Sequence, residues 1–265
     1  MKHGLMALVV FFSPVCHSKN WHPKDSVSAT REQVSHLAYS LNYDHDHKNA
    51  RWVAYELTPE RLVNCAQRDS HRFVVDLKLR EPSADPADYR QTGYDRGHLV
   101  PAGDMKWSEE VMRQSFFTSN ITPQTSSMNR GRWSMLETLI RAWALESEQT
   151  LIVTGPVLSD ELERLPRTAV SIPDYHYKVL LSRKKNKWRA IGFLMDQAPQ
   201  GHKLETFVFP VREIEKITGI NFFPHLSASE GRQLEENVEM TLWDFKAKFQ
   251  YRPCPQSQVQ SSMMN

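Results

Sequence analysis

The sequence predicts an α+β protein in which a mainly antiparallel central sheet is flanked by helices. Three observations support this fold class. The chain has 265 residues, of which 40% are hydrophobic and 24% charged, so it is long enough to bury a substantial core. Segments with strand character outnumber those with helical character. Their order along the chain favours an antiparallel sheet with helices packed against it.

The predicted strands are short segments that are mostly rich in Val, Ile and aromatic residues, which favour the pleated conformation. Residues 94–100 differ because they contain Gly97, which permits a turn near the end of the strand. The seven predicted strands are residues 52–57, 73–79, 94–100, 151–158, 175–182, 188–194 and 205–211.

Four segments are predicted to be helical: residues 108–117, 130–147, 212–218 and 231–249. The second has the clearest pattern, because apolar residues recur in it at intervals of three and four, which places them on one helix face. These residues are Trp133, Leu136, Leu139, Ile140, Trp143 and Ala144.

The chain shows no internal repeat and no long linker, so residues 40–250 are predicted to form a single domain.

Residues 1–18 have the layout of a secretory signal peptide: a basic start, an apolar run over residues 5–12, and small or polar residues before a cleavage site near Ser18. The run is shorter than the roughly 20 residues of a spanning helix. A lipoprotein signal at Cys16 is the alternative. We expect an exported protein with no membrane contact after cleavage, a flexible segment over residues 19–39, and a C-terminal tail over residues 251–265.

Removal of the signal would leave two cysteines, Cys65 and Cys254. An oxidising compartment favours their pairing, so we predict a disulfide that ties the C-terminal tail to the early part of the domain. Two unrelated buried thiols are the alternative.

The motif Asp95-Arg96-Gly97-His98 suggests catalysis. At the end of a strand, His98 can project into a cleft, and imidazole has an ordinary pKa of about 6.5, which suits proton removal from water. We therefore predict that His98 is a general base. A hydrogen-bonded core histidine is the other interpretation.

Asn129, Trp133 and Glu137 follow at intervals of four, so Asn129 and Glu137 can face one cleft from neighbouring turns. One carboxamide oxygen with several waters suits Mg²⁺, which keeps much of its hydration shell. The sequence thus predicts Asn129 as a metal ligand and Glu137 as a residue that orients the waters of the metal. In the alternative, Asn129 caps a helix and Glu137 is an exposed acid.

These motifs resemble those of the DNA/RNA non-specific endonucleases, the ββα-metal or His-Me finger group that includes endonuclease G. The resemblance covers roughly residues 50–225. It rests on the segments Trp52-Val53-Ala54-Tyr55, Asp95-Arg96-Gly97-His98, Ser119-Asn120-Ile121-Thr122-Pro123-Gln124, Asn129-x-Gly131-x-Trp133-x-x-x-Glu137, Thr154-Gly155-Pro156 and Ile172-Pro173.

The resemblance implies a ββα-metal motif and assigns the same roles to His98, Asn129 and Glu137, with Arg96 and Asn120 supporting the phosphate and the site geometry. It also implies an arginine on the scissile phosphate, upstream of an aromatic residue and an aspartate. Both Arg68 and Arg72 fit this description, and we rank Arg68 first. The expected products carry 5′-phosphate ends.

The formal net charge is only +2, so a nucleic acid must be held by a local basic patch rather than by the overall field. The predicted contacts with the nucleic acid are Arg113, Arg130 and Arg132.

The expected substrates are DNA and RNA, and the expected cofactor is Mg²⁺ with Mn²⁺ as a substitute. An inhibitor protein is a further candidate partner. The sequence defines no oligomeric state. A weakly catalytic nucleic-acid-binding module of the same fold and a small-molecule phosphodiesterase are the alternative functions.

Overall fold

The computed structural model describes residues 21–26, 28–198, 201 and 203–256. The predicted signal peptide lies outside this part of the chain, as do residues 257–265 of the predicted tail. Among the described helices, none combines the length and apolar character that crossing a bilayer requires.

The described residues contain a central sheet of seven antiparallel strands, which confirms the predicted fold class. In chain order, the strands of the described residues are β1 (Arg31–Ser35), β2 (Tyr39–Asp44), β3 (Asn49–Leu57), β4 (Val63–Asn64), β5 (Tyr94–His98), β6 (Ile121–Thr125), β7 (Gln149–Pro156), β8 (Tyr175–Lys184), β9 (Lys187–Asp196), β10 (Val208–Phe209) and β11 (Arg252–Pro253). The central sheet has the spatial order β1-β2-β3-β7-β8-β9-β10.

Both faces of the central sheet are covered, because successive side chains along a strand point to opposite faces and both sets are apolar. On β7, Ile152 joins the core on one face, whereas Leu151 and Val153 join the core on the other. The first face packs against helix α2 (Ser134–Leu145) and the second against α3 (Val211–Thr218). The sheet is thus the middle of three layers.

A second pair of strands, β5 and β6, stands apart from the central sheet and leads into α2. The pairing is antiparallel and sets His98 opposite Ile121. Between β6 and α2 lies a wide helical turn, Met128–Trp133, whose backbone is non-helical at Gly131 (φ −102°, ψ −113°). This strand–strand–helix unit has the arrangement of the predicted ββα motif.

The two other α-helices are α1 (Glu109–Ser115) and α4 (Ala228–Glu235). The side chain of Ser108 caps the start of α1 by accepting a hydrogen bond from the Val111 amide. Helix α3 ends at Gly219, whose φ of 71° lies in the left-handed region that glycine adopts without strain. The helices predicted over residues 108–117, 130–147 and 212–218 are therefore confirmed, with small differences in their ends.

Three predicted elements are wrong over most of their length. Residues 73–79 make only an isolated bridge at Val74. The carboxylate of Asp76 turns inward and accepts hydrogen bonds from His36 and Ser119. The backbone amide of Asp76 donates to the hydroxyl of Ser83 instead of to a neighbouring strand. Residues 231–249 are helical only up to Glu235 and at a short turn, Met240–Leu242. The strand predicted over residues 205–211 is reduced to β10.

The central sheet also begins earlier than the sequence suggests. Strand β1 lies within residues 19–39, the segment expected to be flexible, and it pairs along its whole length with β2. Four of its five residues are polar and four are half-buried because it is an edge strand, so it lacks the apolar pattern of an inner strand.

The predicted disulfide joins Cys65 to Cys254, with a Cα–Cα distance of 4.8 Å. It closes over 189 residues of chain. Next to it, β11 pairs in parallel with β4, so part of the segment predicted to be a tail is anchored to the domain.

Replacement of both cysteines, in Cys65→Ala/Cys254→Ala, should lower the free energy of unfolding by roughly 2–5 kcal/mol, because the unfolded chain regains the freedom that the long closed loop removes. Urea denaturation of the variant and the oxidised wild type measures the difference. Reduced wild-type protein is the control and should match the variant. Equal midpoints for all three samples would contradict a stabilising crosslink.

Candidate active site

A cleft of about 590 Å³ lies between the β5–β6 pair, the wide helical turn and α2. It brings together five of the residues to which the sequence assigns catalytic or metal-binding roles. Four arginines and two carboxylates line it, so its charged surface is mainly positive. The charged or catalytic lining residues are Arg68, Asp95, Arg96, His98, Asn129, Arg130, Glu137 and Arg141.

His98 is the last residue of β5, and the residue before it has to be glycine. A Cβ at Gly97 would lie 2.3 Å from the side-chain carbonyl carbon of Gln124. Gln124 belongs to β6, the strand that pairs with β5, and its side chain lies over the backbone of Gly97. No side chain fits at such a distance, so glycine is what lets Gln124 pack against the backbone next to His98.

The imidazole of His98 is 8% exposed and packs between the rings of Phe73 and Phe116, with centroid distances of 5.3 and 5.0 Å. Its Nε2 atom is buried and has no hydrogen-bond partner among the described residues, and the residue lines the cleft. Burial, with the positive charge of Arg68 as a second cause, lowers the pKa of His98 to about 3. The free protein therefore holds the imidazole neutral, which is the form that accepts a proton.

Asn120 is fully buried and holds the backbone that follows His98. Its amide nitrogen donates to the carbonyl oxygens of Val100 (3.0 Å) and Ser115 (2.8 Å), and its oxygen accepts from the Val100 amide (2.9 Å). Asn120 does not line the cleft, so its contacts are with the protein scaffold rather than with a substrate.

Asp95 connects β5 to the wide helical turn. Its carboxylate accepts a hydrogen bond from the side-chain nitrogen of Asn129 (2.9 Å), two from the guanidinium of Arg130 (2.8 Å each) and one from Ser126 (3.1 Å). Burial raises the pKa of Asp95, but the bonds from Arg130, Asn129 and Ser126 outweigh it and lower the pKa. Because the nitrogen of the Asn129 amide is engaged, its oxygen is the atom left for a cation.

Glu137 enters the cleft from α2, and two cations lie near it. Burial raises the pKa of its carboxyl, and the charges of Lys178 and Arg141 oppose that shift. Lys178 is fully buried on β8, where its ammonium donates to the Leu99 carbonyl and to Thr154, both at 3.2 Å. Positive charge behind the cleft thus limits, but does not cancel, the rise in the pKa of Glu137 that burial causes.

Arg141 lies one turn after Glu137 on α2 and also lines the cleft. Its guanidinium donates to Asp104 (2.8 Å) and to Thr138 (3.0 Å), and Asp104 in turn accepts from the hydroxyl of Tyr55 (2.7 Å). Arg141 is only 8% exposed, so its orientation is set by these neighbours.

The other predicted arginines fall into two groups. Arg68 and Arg96 are exposed side chains at the cleft, and the guanidinium of Arg96 lies 4.8 Å from the ring centroid of Phe73. Arg113 and Arg132 are not among the cleft residues: Arg113 forms two hydrogen bonds with Glu110, and Arg132 contacts the sulfur of Met135. Arg72, the alternative to Arg68, does not line the cleft either.

Sequence reasoning assigned no role to Asp95, Arg141 or Lys178. The four-residue spacing from Glu137 could have found Arg141, because residues at that interval share a helix face. Asp95 belongs to the motif Asp95-Arg96-Gly97-His98, but the motif alone indicates no function for it. Lys178 is distant in sequence and has no local signal.

The scaffold and cleft define a nuclease of the ββα-metal class. The chain matches the family model for DNA/RNA non-specific endonucleases over residues 18–229, and it belongs to that family. It is 32% identical to "Nuclease EXOG, mitochondrial" of Danio rerio over 238 residues, which cover 84% of this chain and 68% of that protein. It is 31% identical to human "Endonuclease G, mitochondrial", with 74% of this chain and 71% of that protein covered.

A bacterial relative and a solved structure agree with this assignment. "Nuclease" of Nostoc sp. is 26% identical over 76% of each chain. A crystal structure of the EndoG/EndoGI complex superposes with a TM-score of 0.70 and 25% identity, covering 75% of this chain and 88% of that chain. The chain is thus an endonuclease similar to endonuclease G and EXOG, as the sequence motifs predict.

Arg68→Gln should lower kcat/KM by roughly 100-fold, the typical cost of removing one charge-stabilising donor. It should also raise the pKa of His98, because a nearby positive charge that disfavours the imidazolium is gone. NMR titration of His98 in metal-free protein measures the pKa.

Arg72→Gln is the matched control, since it removes the same charge four residues away and outside the cleft. It should change neither kcat/KM nor the His98 titration. The assignment of Arg68 fails if Arg72→Gln shows the larger loss.

Proposed function

We propose that this nuclease is an exported, magnesium-dependent enzyme that hydrolyses DNA and RNA with little sequence preference and leaves 5′-phosphate ends. The observation that carries the proposal is that one cleft contains both His98, whose imidazole is neutral, and Asn129, whose amide nitrogen is held by Asp95. One side chain can take a proton and the other can offer an oxygen to a hard cation.

The donor set of the cleft fits Mg²⁺. The described residues contain no cluster of three or more His, Cys, Asp or Glu side chains suited to a metal. Asn129 would therefore be the direct ligand, and Glu137 would hold waters of the ion, in keeping with the reluctance of Mg²⁺ to lose them. When bound, the ion would neutralise charge on the phosphate and assist departure of the 3′-oxygen.

The residues of the chain perform the other parts of the reaction. A ring nitrogen of His98 accepts a proton from a water molecule whose oxygen forms a bond to phosphorus. The bond from phosphorus to the 3′-oxygen breaks, and that oxygen takes a proton from solvent. The phosphate then remains on the 5′ side. Arg68, Arg96 and Arg141 are placed to bind the non-bridging oxygens.

Substrate binding also explains how a buried imidazole with a low pKa can serve as a base. A phosphate beside Arg68 cancels the charge that, after burial, is the second cause of the lowered pKa of His98. The pKa of His98 should therefore rise in the complex, toward the range in which proton transfer is most efficient.

The proposed lack of sequence preference rests on the chemistry of the cleft. Its cations are arginines, which recognise phosphate groups, and phosphates carry no base information. The same contacts are available to DNA and RNA. The EndoG/EndoGI complex supports a further part of the proposal, that an inhibitor protein is also a partner of this chain.

Agarose digestion of plasmid DNA and of RNA, with magnesium, manganese and chelator lanes, tests the activity. We expect both polymers to be degraded with magnesium, less or similar degradation with manganese, and none with chelator. Products should accept a labelled phosphate at their 5′ ends only after phosphatase treatment. Labelling of the 5′ ends without phosphatase would contradict the proposed direction of cleavage. Cleavage of a small chromogenic phosphodiester, with no cleavage of DNA or RNA, would favour a small-molecule phosphodiesterase.

Two variants separate proton transfer from metal binding in the same assay. His98→Ala should lower kcat by roughly 100-fold or more while added imidazole restores part of it. Asn129→Ala should instead raise the magnesium concentration needed for half-maximal rate. Far-UV circular dichroism controls for folding. An Asn129→Ala enzyme with the wild-type magnesium dependence would refute the ligand assignment.

Export is supported by the layout of residues 1–18 and by the disulfide, a bond typical of oxidising compartments. Mass spectrometry of the protein purified from its producing cells should show a mature N-terminus near residue 19. An intact N-terminus in cytosolic protein would contradict export.

A further inference from the structure

A segment near the C-terminal end of the described chain, Phe249–Cys254, lies beyond the family match, which ends at residue 229. We refer to it as the C-terminal strap. Within it, the Arg252 amide donates to the Leu62 carbonyl (3.1 Å), and β11 pairs with β4. The strap ends at the disulfide between Cys254 and Cys65. It is therefore fixed to the domain by backbone pairing and by a covalent bond.

The aromatic side chains of the strap lie against Arg141. Its guanidinium carbon is 5.5 Å from the ring centroid of Phe249 and 5.9 Å from that of Tyr251, distances at which a cation is attracted to the face of a ring. The two rings meet edge to face with centroids 4.6 Å apart. The strap thus forms an aromatic wall beside the guanidinium.

Tyr251 is also bound to the loop that contributes to the cleft. Its hydroxyl donates to the Gly103 carbonyl (2.9 Å), and the Lys106 ammonium lies 4.9 Å from its ring centroid. A Cβ at Gly103 would lie 2.7 Å from Nη1 of Arg141 and 2.9 Å from the Tyr251 hydroxyl. Gly103 therefore allows the arginine and the tyrosine to approach the same backbone atoms.

We infer that the C-terminal strap is part of the active site, and that Phe249 and Tyr251 are positioning residues which hold the Arg141 guanidinium toward the substrate phosphate. Asp104 and Thr138 bind Arg141 through hydrogen bonds, and the strap supplies the neighbouring aromatic surface. Without the strap, Arg141 would face solvent on that side and could adopt other rotamers. This inference rests on the proposed phosphodiesterase chemistry of the cleft.

The decisive variant is Tyr251→Leu, which removes the ring and the hydroxyl but keeps an apolar side chain. We expect kcat on plasmid DNA to fall about tenfold with KM changed less than about twofold, because Arg141 acts on the phosphate in the transition state. Tyr251→Phe keeps the ring and should recover most of the rate. In an Arg141→Ala background, Tyr251→Leu should cause no further loss, because the tyrosine acts through the arginine.

Phe245→Leu is the matched control. Phe245 belongs to the same C-terminal region, but its ring packs against Trp143 and Phe193, with centroid distances of 5.4 and 6.4 Å. Its replacement should lower the melting temperature without the kcat effect. A merely structural role for Tyr251 would lower the melting temperature without the kcat effect, as in Phe245→Leu, and would overturn the inference. A further loss of kcat on adding Tyr251→Leu to Arg141→Ala would overturn it as well.

The Cys65→Ala/Cys254→Ala protein provides a second test at a temperature where it remains folded. Loosening the strap should lower kcat, and adding Tyr251→Leu should then have a smaller effect than it has in the disulfide-bonded enzyme. If the wild-type protein cleaves DNA and Tyr251→Leu matches it, this inference alone fails. If the wild type cleaves no nucleic acid with any divalent metal, the proposed function fails instead.

Discussion

The geometry of the site depends on one carboxylate, Asp95. It lies three residues before His98 on the same strand, and it binds both Asn129 and Arg130 on the helical turn that faces that strand. The positions of His98 and Asn129, the proposed base and the proposed metal ligand, are thereby linked through a single side chain. Arg130 neutralises the carboxylate, so Asp95 acts mainly as a fixed acceptor whose charge is already balanced.

A second constraint is the buried charge behind the cleft. Lys178 and Arg141 are cations of the scaffold, Asp104 and Glu137 are its anions, and only Asp104 and Arg141 bind each other directly. Buried charges are costly unless they are compensated, so this arrangement holds each group in a defined position. It leaves Glu137 without a direct salt-bridge partner among the described residues, and therefore available to the waters of a bound cation.

Much of the site could be predicted from local sequence. His98, Asn129 and Glu137 belong to short motifs in which strand end, turn and helix spacing determine where the side chains point. The four-residue interval also contains the information for Arg141. Lys178 and Tyr251 could not be found in this way, because each reaches the site through the tertiary fold rather than through a neighbouring motif.

In the fold, too, local sequence patterns predict some elements, whereas tertiary contacts determine others. The inner strands β3, β7, β8 and β9 and helix α2 have apolar patterns, because their burial demands them, and these were predicted. The inner strand β2, Tyr39–Asp44, was missed because polar residues alternate with its apolar ones. The edge strand β1 has a polar sequence and was missed. Residues 73–79 look like a strand, but Asp76 is drawn into a buried hydrogen-bond network, an interaction that depends on His36 and Ser119 from distant parts of the chain. Local propensity is overridden in that segment by tertiary contacts.

The anomalous scattering of Mn²⁺ in crystals of the enzyme tests the proposed site most directly. We expect a peak bound by the side-chain oxygen of Asn129 as its one direct protein ligand, with Glu137 reaching it through water and His98 in the same cleft. A peak coordinated directly by Asp95 or Glu137, with Asn129 unbound, would contradict it.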